Sequence, residues 1–237
     1  MSFLSSKLVG FFNSNVGKEE LSVVRARQME ENNVWKRCWK EPFDQTKSIF
    51  IHIPKAAGTS ISQSLYGENT FHFTADTYNF LPREDFNEYF KFAFVRNPYE
   101  RILSTYKYSF KQFKEHPKTS VAFVTRFKSF ENFVLEWVNR KNISKHYFFY
   151  TQERYISDQT GKLLVDYIGK FETVDEDFKF VARKLNIDKE LMHTNKSPKR
   201  KEETVYTEDM ANKVFNVYKN DFMLFGYDKE SWKNVGR

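Results

Sequence analysis

Residues 50–60, FIHIPKAAGTS, decide how this chain folds. The stretch from Ser48 to Ile53 (SIFIHI) is β-branched, aromatic and apolar apart from His52, which predicts a buried strand. A short loop, Pro54 to Ser60, follows it directly, and a helical stretch then runs to about Tyr66. This order of strand, loop and helix is typical of α/β proteins with parallel sheets.

A second strand and helix repeat this order further along the chain. Lys91 to Val95 (KFAFV) predicts a strand that ends at Arg96. In the next helix we expect Asn97 to be the cap, Pro98 to take the first position and Glu100 to complete a capping box. Because ligands of such sheets bind beyond the carboxyl ends of the strands, both loops are expected at one edge.

These patterns predict an α/β fold in a single domain, with a P-loop-NTPase-like parallel sheet flanked by helices. The first helix after Arg96 is expected to end near Phe113, and the remaining elements are helices near 129–140, 174–186 and 207–219 and a strand from Val165 to Phe171. We divide the chain into an N-terminal helical arm (1–45, helical over 18–40 and ended by Pro42), a main domain (46–228) and a C-terminal tail (229–237).

Composition limits the class of protein. The 237 residues include 38 Lys and Arg against 31 Asp and Glu, a net charge of +7 that favours an anionic partner or serves solubility alone. Hydrophobic residues make up 40%, too many for a disordered chain, and the lone Cys38 excludes an internal disulfide. With no long apolar stretch and no signal peptide, the sequence predicts a cytoplasmic protein without a membrane span.

The first loop has the composition of an anion-binding site. Lys55 supplies a charge, Thr59 and Ser60 supply hydroxyl groups, and the helix start supplies backbone N–H groups. It is not a Walker A loop, because Lys55 precedes Gly58 instead of following it. The alternative is an ordinary strand-to-helix turn with a surface lysine, and the loop alone is a signal of moderate specificity.

The second segment strengthens the anion-binding interpretation. Arg101, Ser104 and Tyr108 share one helix face beyond Arg96. Arg96 and Ser104 together suit a second phosphate, with bidentate contacts from the guanidinium. In isolation, pairing of Arg96 with a carboxylate would be favoured; the neighbouring first loop favours the phosphate instead.

Together, FIHIPKAAGTS (50–60) and FAFVRNPYERILSTY (92–106) resemble the paired donor motifs of sulfotransferases that use 3′-phosphoadenosine 5′-phosphosulfate (PAPS). The carbohydrate branch, with the heparan 2-O and chondroitin/dermatan sulfotransferases, is the most similar. Shorter matches follow in order: HFTA (72–75), Gln152, DYIGKFE (166–172), DF (177–178), HTNKS (193–197) and DFMLFGY (221–227). The resemblance covers roughly residues 46 to 228 and makes this the sulfotransferase domain.

The resemblance implies a metal-independent transfer of a sulfuryl group from PAPS to a hydroxyl of a carbohydrate. It assigns donor binding to Lys55, Ala57, Gly58, Thr59 and Ser60 at the 5′-phosphosulfate and to Arg96 and Ser104 at the 3′-phosphate. It makes His72 the general base and Lys55 the group that stabilises the leaving phosphate, with His193 as second choice for the base. Glu172 and Asp177 are structural or acceptor-side, and Lys196 to Lys201 form either a closing loop or a solvated charge run.

The sequence makes further predictions about single residues and about the partner. Relatives commonly carry Gly where Ala57 stands, so the backbone here is expected to avoid positive φ. His52 is expected in the core, and His116 and His146 on the surface. The partner is a carbohydrate or another hydroxyl acceptor, acidic if the net charge serves it, and not a nucleic acid. The alternatives are a nucleotide-dependent kinase and a non-catalytic module that binds polyanions, glycan or RNA.

Overall fold

Three parallel strands form the sheet of the computed structural model, which describes residues 38–81, 85–192 and 205–236. The strands are β1 (Ser48–Ile51), β2 (Phe90–Val95) and β3 (Tyr167–Lys170), and β2 lies in the middle. All of β1 and nearly all of β2 are buried. The predicted α/β class with a parallel sheet is confirmed, and its strands lie where the sequence placed them. A closer likeness to the P-loop fold stays a prediction.

Helices connect and cover the strands. They are α1 (Glu41–Thr46), α2 (Gly58–Tyr66), α3 (Ala75–Asn79), α4 (Asp85–Glu88), α5 (Pro98–Glu115), α6 (Phe130–Asn132), α7 (Arg140–Ile143), α8 (Gln152–Ile156), α9 (Val174–Lys184), α10 (Glu208–Val217) and α11 (Lys219–Phe225). A π turn (Phe133–Trp137) follows α6, and 3₁₀ turns form at Ala122–Arg126, Tyr147–Phe149, Phe171–Thr173 and Lys229–Asn234. The helix predicted near 129–140 is therefore broken into short pieces.

The start of α5 is capped partly as predicted. Asn97 accepts a hydrogen bond from the Tyr99 N–H at 3.0 Å, and Pro98 occupies the first turn. The predicted capping box is wrong, because the Glu100 carboxylate pairs with the Arg96 guanidinium at 3.2 Å. An ion pair replaces the weaker bond to a backbone N–H.

A buried arginine joins α5 to the segment before α8. The Arg101 side chain is fully buried and donates hydrogen bonds to the carbonyls of Phe148 and Tyr150. Its charge acts on the buried Asp221, whose carboxylate accepts both backbone N–H groups at the start of α8, at 2.9 and 3.0 Å. Arg101 therefore does not share the predicted site face of α5, because its two terminal guanidinium nitrogens bond backbone carbonyls inside the protein.

The predicted division into an arm, a domain and a tail stays a prediction. Most of the predicted arm lies outside the described residues, and Pro42 falls in the first turn of α1. Residues 229–236 pack on the start of α5, where Tyr99 donates to the Lys229 carbonyl at 2.9 Å. No helix in the described ranges has the length and hydropathy to cross a membrane.

Asp221 makes stability depend on pH. Burial, opposed by Arg101, raises its pKa to about 6, whereas an unfolded Asp titrates near about 3.9. The folded state thus binds this proton more tightly, so the contribution to stability is fully present below about pH 4 and is lost as pH rises through about 6. Urea unfolding is expected to show that the free energy of unfolding falls from pH 5 to pH 7 by about 1 kcal/mol more in the parent protein than in Asp221→Asn. Equal pH dependence in both proteins would contradict the assignment.

Candidate active site

The two predicted anion loops meet at one edge of the sheet. Because β1 and β2 are parallel, their carboxyl ends lie side by side, and residues 54–57 leave the first while Arg96 leaves the second. The Arg96 guanidinium donates a long hydrogen bond, 3.4 Å, to the Lys55 carbonyl. The structure thus brings together the loops that the sequence paired.

The first loop turns through two left-handed residues. Lys55 has φ 68° and Ala57 has φ 63°, so the expectation that Ala57 avoids positive φ is wrong. Such residues cost about 1–2 kcal/mol each outside glycine, and the short connection from β1 to α2 imposes them here. No side chain caps α2, which leaves its first turn, with the half-buried Thr59 and Ser60, facing the loop.

Gly58 is required by space. A Cβ at this position would lie 1.9 Å from Cδ2 of the His52 ring. His52 is buried, and its Nδ1 lies 3.0 Å from the Thr70 carbonyl. Burial lowers the pKa of His52 well below its usual value, so the ring is neutral. Its predicted place in the core is confirmed.

The geometry of His72 suits a base. Its Nδ1 lies 2.9 Å from the His52 carbonyl, which only accepts, so Nδ1 carries the proton and Nε2 keeps its lone pair. The ring stacks on Tyr147 at 5.6 Å and meets the His52 ring at 4.1 Å. Burial and the nearby Lys55 charge lower the pKa of His72 against the opposing backbone hydrogen bond, which keeps it neutral at pH 7.

Lys55 lacks an anionic partner within the described ranges. Its Nζ lies 4.1 Å above the Tyr108 ring and makes no hydrogen bond there. Burial, and then the charges of Arg96 and Lys111, lower its pKa to about 8. A partly buried ammonium near other cations is costly unless an anion joins them. Lys111 lies one turn beyond Tyr108 on α5, and no motif in the sequence singles it out.

Arg96 is held rigidly from several sides. Its guanidinium pairs with Glu100 and lies 4.0 Å over the Phe171 ring, while its buried Nε has no partner in the described residues. The Gln152 amide bonds both the N–H and the carbonyl of Arg96, each at 2.8 Å. Arg96 therefore does pair with a carboxylate, the alternative that the sequence left open. Its Nε still has no hydrogen-bond partner among the described residues. Gln152 matched only as an isolated residue, and its role as a backbone clamp depends on the fold.

Ser104 lies half-buried on α5, one turn before Tyr108. No contact among the described residues connects it to Arg96. Placing both on one phosphate therefore stays a prediction.

The two acids singled out from the sequence brace the sheet edge. The Glu172 carboxylate accepts the Asn97 N–H at 2.8 Å and the Tyr227 hydroxyl at 2.9 Å. Asp177 accepts the Lys170 N–H at 2.8 Å and two further hydroxyl groups. Both acids thus have structural roles.

The remaining histidines and basic loop have mixed outcomes. His116 is exposed as predicted, but His146 is half-buried, because its ring stacks on Tyr147 at 5.6 Å within an aromatic cluster. His193 and the loop from Lys196 to Lys201 lie outside the described residues. Across the described ranges, no group of three His, Cys, Asp or Glu side chains is placed to hold a metal ion.

Comparison with known proteins identifies the class. The model of the sulfotransferase family matches residues 43–228, which include both loops, and the chain belongs to that family. It is similar to carbohydrate sulfotransferase 12 of Xenopus laevis (26% identical over 175 residues) and of Mus musculus (28% over 180), and to carbohydrate sulfotransferase 11 of Rattus norvegicus (27% over 173).

These matches are partial. They cover 60, 63 and 59% of this chain and 41, 42 and 47% of the three relatives, so the chain spans less than half of their length. No solved structure gives a significant match. The resemblance to the carbohydrate branch that the two motifs predicted is confirmed.

Gly58→Ala is expected to damage both stability and the site. Its Cβ would displace the His52 ring, at a cost of about 1–3 kcal/mol or more, and thereby shift the carbonyl that orients His72. Urea unfolding measures the first effect and an NMR titration of His72 the second.

Ala57→Gly is the matched control, because glycine adopts the left-handed φ freely. Its stability is expected within about 1 kcal/mol of the parent, with the His72 titration unchanged. If Gly58→Ala behaves like this control, the close packing on His52 does not constrain the site.

Proposed function

We propose that this chain transfers a sulfuryl group from PAPS to a hydroxyl of a carbohydrate, without a metal ion, on a sheet of the P-loop-NTPase-like type. One observation carries the proposal: the half-buried ammonium of Lys55 has no anionic partner among the described residues and is near enough to the neutral His72 for its charge to lower the pKa of that ring, whose Nε2 lone pair is free. Family membership and the relatives named carbohydrate sulfotransferases support the reaction class and the acceptor class.

The residues of the two loops fit an anionic donor. Lys55 and the backbone around Ala57, Gly58, Thr59 and Ser60 would hold the 5′-phosphosulfate, because the uncapped start of α2 presents N–H groups beside a cation. Arg96 and Ser104 would hold the 3′-phosphate, which would partner the unsatisfied guanidinium nitrogen. When bound, the donor supplies the sulfuryl group and a phosphate leaving group.

His72 and Lys55 divide the chemistry. His72 Nε2 accepts the proton of the acceptor hydroxyl while the His52 carbonyl holds Nδ1–H and stabilises the charged ring. The Lys55 ammonium stabilises the negative charge that grows on the leaving oxygen. Tyr108 and Tyr147, which contact Lys55 and His72, keep the two groups oriented.

The donor assignment predicts selective nucleotide binding. Calorimetric titration is expected to show adenosine 3′,5′-bisphosphate binding more tightly than AMP or ATP, with no need for Mg²⁺. Arg96→Ala is expected to weaken the binding of the bisphosphate about tenfold or more and the binding of AMP far less, because the substitution removes a charged contact to the 3′-phosphate. Arg126→Ala is the control, because it also removes one arginine charge but at an exposed position outside the two loops.

Equal weakening of both nucleotides in Arg96→Ala would make Arg96 structural. Tighter binding of ATP with Mg²⁺ would favour a kinase. Binding of long polyanions with no preference for the bisphosphate would favour a non-catalytic module.

The two perturbed groups predict a bell-shaped pH profile of kcat/KM. Activity rises as His72 loses its proton, with a midpoint below about 6.5, and falls as Lys55 loses its proton near about 8. In kcat the alkaline limb moves to higher pH, because a bound anion stabilises the protonated Lys55. His72→Ala is expected to lower kcat by about 10²–10⁴ with bisphosphate binding intact. Near-normal turnover in that variant would transfer the role of base to His193.

A further inference from the structure

A basic cleft of about 310 Å³ lies between α7, α8 and the start of α11. Its polar and aromatic lining includes Arg140, Ser144, Tyr150, Arg154, Lys219 and Asn220, together with Thr151 and Glu153. The three cations are exposed and have no carboxylate partner among the described residues. The one carboxylate of the lining, Glu153, accepts the Asn220 amide at 2.9 Å, so the cleft carries a net positive charge.

One side of the cleft is ordered in advance. The Arg154 guanidinium lies 3.7 Å over the Tyr150 ring and donates to the Ser144 carbonyl at 3.1 Å. A cation held over an aromatic ring loses little freedom when it binds an anion. An aromatic ring beside charged donors offers a sugar both an apolar face and fixed hydrogen bonds.

The cleft is connected to His72 by a short, rigid segment. Tyr147 stacks on His72, and Tyr150 lines the cleft. The chain between these two residues spans at most about 11 Å. Arg101 fixes the segment through the carbonyls of Phe148 and Tyr150. A ligand that reaches His72 and extends by a few sugar units is therefore long enough to reach the cleft.

We propose that the basic cleft binds a carboxylate or sulfate group on the saccharide chain of the acceptor, away from the hydroxyl that reacts. This rests on the proposed function, which makes the ligand a carbohydrate. The charge of the cleft selects acidic saccharides over neutral ones, and its separation from His72 selects chains over single sugars.

The test is calorimetric binding of a hexasaccharide that carries uronic acid carboxylates, and of its carboxyl-reduced neutral form, in the absence of any donor. The variants are Arg140→Ala/Arg154→Ala/Lys219→Ala and a charge-matched control, Lys118→Ala/Lys128→Ala/Lys179→Ala, whose lysines are exposed outside the cleft. The cleft variant is expected to bind the acidic chain roughly ten- to hundredfold more weakly and the control less than threefold more weakly. The carboxyl-reduced neutral hexasaccharide is expected to bind the cleft variant and the control variant with the same affinity.

Equal weakening in the two variants, or none in the cleft variant, would overturn the proposal. An acidic peptide of the same charge that binds as tightly as the hexasaccharide would also overturn it. Adenosine 3′,5′-bisphosphate is titrated into each variant in parallel. If it binds the parent protein while the cleft variant shows no saccharide effect, the cleft fails and the proposed function stands; if it does not bind the parent, the proposed function fails by itself.

Discussion

The contact between the His52 ring and the backbone of Gly58 is the constraint on which the active edge depends. The ring occupies the volume that any side chain at position 58 would need, so the end of β1 and the start of α2 approach each other closely. The same residue, His52, presents its carbonyl to Nδ1 of His72. One close packing arrangement therefore sets both the anion loop and the orientation of the base.

Electrostatics adds a second constraint at this edge. Lys55 is largely removed from water and lies near Arg96 and Lys111, so its protonated form is destabilised. Arg96 is compensated in part by Glu100, whereas Lys55 has only the Tyr108 ring among the described residues. A site that contains such an unpaired cation favours anion binding, because a bound anion offsets the cost of the partly desolvated charge. Part of the net charge of +7 is thus concentrated at this edge of the sheet, where it favours an anionic ligand.

Local signals in the sequence predicted local structure well. Asn97 and Pro98 start a helix by the rules of capping, and the structure confirms both. The predictions for Glu100 and Arg101 are wrong because each side chain takes a different partner from the one that helix spacing suggests. The Glu100 carboxylate reaches Arg96, and the Arg101 guanidinium reaches carbonyls of residues far along the chain. Spacing along one helix does not reveal which of two competing partners a charged side chain takes.

The sequence by itself determined the parallel α/β class, the two loops and the family, because hydrophobic periodicity and two short motifs carry that information locally. Only the tertiary structure decided the left-handed φ of Ala57, the clamp of Gln152 on Arg96 and the free Nε2 of His72. The first depends on how closely β1 and α2 pack on each other, and the other two depend on atoms from separate elements meeting within hydrogen-bond distance. Such meetings follow from how the whole chain packs, and no single segment encodes them.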